Sequence, residues 1–108
     1  MSFDINDVAN KMLLAMKKET GRSWTRLEIP VRQMVYNKKI RYLLLADMLH
    51  TGQINMDKLN SRLDDEKLII EAELNALSVL TKVTAQNAAN AAIVVLLKAI
   101  TGLLKVAV

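Results

Sequence analysis

The chain contains no cysteine. That excludes a disulfide scaffold, a thiolate nucleophile and cysteine-ligated zinc or iron–sulfur centres. Proline occurs once and glycine three times. This is too little turn-forming material for the many tight connections of a sandwich or barrel and argues against an all-β fold. Aromatic residues make up 4% of a chain that is 52% apolar, so the core has to be aliphatic, with six Met to fill its irregularities. The one histidine, His50, falls at the end of a helical segment, where an imidazole can meet exposed carbonyls. With no second His and no Cys, a nucleophilic dyad or triad lacks parts. No glycine-rich phosphate loop and no internal repeat is present.

What is there is enough for one domain, with 108 residues and a net charge of +4. The charge is unevenly placed. Residues 1–50 carry nine basic and five acidic side chains, whereas residues 51–108 carry six of each. Asp4 and Asp7 stand where a secretory signal has its basic region, and Lys17 and Lys18 interrupt the apolar run. The cytoplasm is the expected location.

Helical periodicity dominates. Asp4 reads as an N-cap with Phe3 and Val8 as its hydrophobic staple, and Ile5, Val8, Ala9, Met12, Leu13 and Met16 recur on one face before Gly21. A second helical stretch runs to His50 and Gly52. Ser23 is its candidate cap, and Pro30 requires either a bend or a start near that residue. Asn55 caps a third stretch, with no Gly or Pro between Met56 and Thr101. Unbroken, that helix would have about 48 residues and a length of about 70 Å, roughly twice the width of a compact domain of this size. The Ala/Asn/Gln tract 85–92 is its softest point.

A short turn around Gly52–Asn55 implies an antiparallel hairpin. In that register Met48 faces Met56, Leu45 faces Leu59 and Met34 faces Ile70, with Lys38 and Lys39 near Glu66. The expected fold is therefore all-α. It is a small bundle of one domain (1–108), with a helical core (1–84) and an apolar C-terminal helical arm (85–108), completed by oligomerisation.

The arm carries the functional expectation, because the first helix is too short to cover it. Ala85, Ala88, Ala92, Ile93, Val95, Leu97, Ile100 and Leu104 are the expected contact residues. A second copy of the chain or a hetero-partner helix would cover them in a coiled-coil-like contact, with Gln86, Asn87 and Asn90 setting its register. The alternative cover is a membrane, since Lys98, Thr101 and Lys105 form one polar line on a broad apolar helix. Lys17, Lys18, Arg22, Arg26, Lys38, Lys39 and Arg41, interleaved with Trp24, Tyr36 and Tyr42, form an anion or nucleic-acid surface as a second alternative. The acidic residues Asp64, Asp65, Glu66, Glu71 and Glu73 read as solvated charge and salt-bridge partners rather than metal ligands. The expectation is a non-enzymatic structural or interaction protein with no cofactor and no small-molecule substrate.

Overall fold

The computed structural model describes residues 3–107, and side chains as far as Gly102. It is an all-α bundle. Helix α1 spans Ile5–Thr20, and a 3-10 turn at Gly21–Ser23 leads into α2 (Trp24–Asn37). Then follow α3 (Lys39–His50), α4 (Met56–Ala76) and α5 (Lys82–Ala107). No strand occurs among the described residues.

Two starts are capped as the residue types require. Asp4 Oδ1 accepts from the backbone N–H groups of Asn6 at 3.0 Å and Asp7 at 3.2 Å, while Phe3 and Val8 both pack into the core. Asn55 Oδ1 accepts from Lys58 N–H at 2.8 Å to open α4. Gly21, at φ +56°, closes α1 by donating its N–H to the Lys17 carbonyl. The last carbonyls of α3 are taken by Thr51, Gly52, Gln53 and Ile54 rather than by His50, whose side chain is exposed.

Two breaks depart from expectation. Pro30 lies inside α2 without ending it, and Ser23 makes no side-chain cap. The helix instead ends at Lys38 (φ −99°, ψ 3°), where no Gly or Pro marks a boundary. Lys38 is anchored there. Its ammonium is ion-paired with Glu73 and donates to the Met34 carbonyl at 3.2 Å. The long third helix also divides, not within 85–92 but at 77–81. Ser78 has φ +58°, the one positive value outside glycine among the described residues. Thr81 Oγ1 then accepts from Thr84 N–H at 3.2 Å and opens α5.

That second break turns α5 back along the molecule. With 26 residues it is about 39 Å long and matches the long axis of a body measuring 42 × 24 × 19 Å. It packs most extensively on α1 and next on α4, while α2 packs chiefly on α1 and α3 lies beside both α4 and α5. Small side chains make the α1–α5 contact close. Ala9 on α1 and Ala85, Ala88, Ala89 and Ala92 on α5 are fully buried, and small residues let helix axes approach. Met12, Met16, Leu59, Ile70, Leu74, Leu96 and Ile100 fill the remaining core.

Candidate functional site

Among the described residues, the inward face of the C-terminal segment expected to need a partner is covered by its own chain. Ala85, Ala88 and Ala92 have no exposed surface, and Ile93 and Ile100 are buried. Val95 and Leu97 are half-buried against the core, and the side chain of Leu104 lies outside the described residues. The boundary drawn at residue 84/85 is no boundary, since Ala85 sits in the first turn of α5. A stripe of small residues suits close approach of any helix, and α5 packs within its own chain on α1 and α4.

The polar line of α5 is its solvent edge. Gln86, Asn87, Asn90 and Lys98 are exposed, and Thr101 donates to the Leu97 carbonyl at 2.8 Å. By length and composition the 21-residue stretch Lys82–Gly102 is apolar enough to cross a membrane. Its inward face is packed against α1 and α4, with 39% of the apolar window buried in the bundle.

One unpartnered apolar surface among the described residues lies on α3. Its inward face buries Tyr42, Leu45, Ala46 and Leu49. The opposite face presents Ile40 at 73% exposure, Leu44 at 54% and Leu43 at 41%. On α4, Leu68 and Ile69 are also exposed. Two ion pairs set the α3–α4 register. Arg41 grips Glu66 with Nε–Oε1 and Nη2–Oε2 hydrogen bonds of 2.7 Å each, and Lys38 meets Glu73. The signal was present in the segment Lys39–His50, which carries apolar residues on both its core face and its outer face, interrupted by Lys39, Arg41, Asp47 and His50.

The ion pairs also neutralise the charge bordering this face. Glu66 is buried and pairs with Arg41, one of the expected salt-bridge cations, while Lys38 pairs with Glu73. Lys39 reaches α1 instead, donating to Asn6 Oδ1 at 2.8 Å with its ammonium 4.7 Å from the Tyr36 ring centre. Behind the pairs the Tyr42 hydroxyl is buried without a hydrogen-bond partner. Burial, reinforced by the Glu66 and Glu73 carboxylates, pushes the Tyr42 phenol well above its ordinary range.

The expected basic surface divides in two. Lys38, Lys39 and Arg41 are engaged as described, whereas Lys17, Lys18, Arg22 and Arg26 are exposed and in no ion pair among the described residues. The aromatic residues provide no stacking platform. Trp24 and Tyr42 are buried, and the half-buried Tyr36 donates its hydroxyl to Asn10 Oδ1 at 2.6 Å. No group of three or more potential metal ligands occurs among the described residues. No protein-family model matches the chain, and no curated protein or solved structure is significantly similar to it.

Proposed function

We propose that this protein is a non-enzymatic interaction module that self-associates through the outer face of α3 and the adjoining edge of α4. The observation that carries the reading is the two-sided apolar character of α3. Its core face is filled, yet Ile40, Leu43 and Leu44 form a second apolar strip open to water, the kind of surface that marks a contact site. A second copy is the favoured occupant for two reasons. An apolar strip is self-complementary under a two-fold rotation, the commonest symmetry of oligomers. The neighbouring cations Lys38 and Arg41 are already neutralised by Glu73 and Glu66, so they add no repulsion between copies, and the exposed Asp47, one turn from Leu43 and Leu44, is the acid on this face of α3. This moves the contact from the α5 residues of the sequence reading to α3.

Sedimentation equilibrium of the purified chain over a range of concentrations tests the reading, and a dimer mass is expected. The double substitution Ile40→Glu/Leu44→Glu should give a folded monomer with unchanged helical circular dichroism, because both positions are exposed. A chain that is monomeric at every concentration sinks the proposal.

A further inference from the structure

The chain's net charge is concentrated at one corner of the bundle. Residues 11–32 contain six basic and two acidic side chains and so carry the whole net charge of +4, leaving the other residues balanced. The corner is the end of α1, the turn at Gly21 and the start of α2. Part of the positive charge is paired, Lys11 with Asp7 and Arg32 with Glu28. Lys17, Lys18, Arg22 and Arg26 are in no ion pair among the described residues. Unlike the α3 face, this corner repels a second copy of itself and attracts an anion.

Exposed apolar side chains stand among these cations. Leu14 is 61% exposed and lines one surface depression together with Lys11, Lys17, Lys18 and Gly21. Ile29, 74% exposed, lies one turn along α2 from Arg26. We infer that this α1–α2 corner docks on an anionic lipid surface, Leu14 and Ile29 entering the headgroup layer while Lys17, Lys18, Arg22 and Arg26 meet lipid phosphates. The combination is what an interfacial site requires, since cations supply attraction to acidic headgroups and aliphatic side chains supply insertion. Nucleic acid fits less well. A strand-binding surface places aromatic rings among its cations, and here Trp24 and Tyr42 are buried while Tyr36 is tied to Asn10. The inference is independent of the α3 contact, because the two surfaces share no residue.

Flotation of the full chain with phosphatidylcholine vesicles, with and without phosphatidylglycerol, tests the inference. Binding is expected only with the anionic lipid, weakening as salt is raised. Lys17→Gln/Lys18→Gln should lower partitioning about 30-fold, at about fivefold per cation, while Lys17→Arg/Lys18→Arg retains it. Leu14→Ser should weaken binding severalfold and Leu14→Trp should strengthen it, with a blue shift of the added indole on vesicle addition. Three results would overturn the inference: no preference for anionic vesicles, charge dependence without any response to the Leu14 variants, or tighter binding of a single-stranded oligonucleotide than of anionic vesicles at the same salt.

Discussion

Arg41 holds the buried carboxylate of Glu66 through a two-bond clasp across the α3–α4 seam, both contacts 2.7 Å long. The geometry is the strong bidentate form of an Arg–carboxylate pair. It is asymmetric in burial, with the Glu66 side chain 9% exposed and that of Arg41 49% exposed. The two halves therefore contribute unequally. Removing the guanidinium strands a desolvated carboxylate, whereas removing the carboxylate leaves a cation that can reach water.

Arg41→Ala should accordingly destabilise the fold by about 1–3 kcal/mol, below the range for a fully buried pair because the arginine is half in solvent. Arg41→Ala/Glu66→Leu should recover most of that loss by removing the stranded charge. Urea denaturation of the single and double variants measures both. A double variant no more stable than Arg41→Ala would show that the clasp does more than satisfy Glu66.

Tyr42 gives a prediction of opposite sign. Its hydroxyl is buried and has no hydrogen-bond partner, so Tyr42→Phe should stabilise the protein, by about 1 kcal/mol if most of the penalty for an unsatisfied group is relieved. The pH dependence follows from the same burial. The folded state holds the phenol proton more tightly than the unfolded chain, whose tyrosine titrates near 10. The stability from the neutral phenol is thus fully present below about pH 10 and is lost as pH rises beyond that value. Phenolate absorbance of the parent chain compared with Tyr42→Phe should show Tyr42 ionising well above the ordinary tyrosine range. Comparing urea midpoints between neutral and strongly alkaline pH should show a smaller loss in Tyr42→Phe than in the parent chain.

The break between α4 and α5 is held by two local devices, and each predicts its own variant. Ser78 occupies left-handed backbone at φ +58°, where a Cβ costs about 1–2 kcal/mol. Ser78→Gly should raise the urea midpoint by part of that amount, the rest being offset by the greater freedom of glycine in the unfolded chain. Thr81→Ala removes the cap of α5 and should cost about 1 kcal/mol. A Ser78→Gly variant that lost stability would mean that its side chain makes a contact outweighing the strain.

Those devices also show where the sequence was readable. Asp4 and Asn55 are strong capping types placed directly before apolar periodic runs, and α1 and α4 begin there. The α4–α5 break carries a quieter signal, a Ser at the turn and a Thr capping another Thr three residues on, with no Gly or Pro to mark it. Missing it joins two helices into one, and the joined helix then has more apolar surface than the rest of the chain can cover. The expectation of an outside partner for the C-terminal arm rests on that joined helix, whereas its described inward side chains pack within the chain. The same reading overlooked α3. A helix apolar on both faces still offers a consistent core stripe, and Tyr42, Leu45 and Leu49 satisfy the pattern while Ile40, Leu43 and Leu44 go unremarked. The basic residues divide because Lys38 and Arg41 face acids on α4, a proximity that the turn at Gly52–Asn55 already pointed to by placing Lys38 and Lys39 near Glu66.

Ala88 separates the two accounts of the C-terminal helix. It has no exposed surface and sits on the α5 stripe that lies against the rest of the bundle. If that stripe were an intermolecular contact, Ala88→Glu would release a folded monomer. Buried within the chain, it should instead unfold the protein or lower its melting temperature severely, since an unpaired carboxylate there has neither partner nor water. Ala88→Leu is the gentler probe. Its extra volume has to push close-packed helices apart and should cost about 1–3 kcal/mol, with the oligomeric mass unchanged because α3 is untouched. Sedimentation and thermal denaturation of both variants distinguish the outcomes, and a well-folded monomer from Ala88→Glu would return the interface to α5.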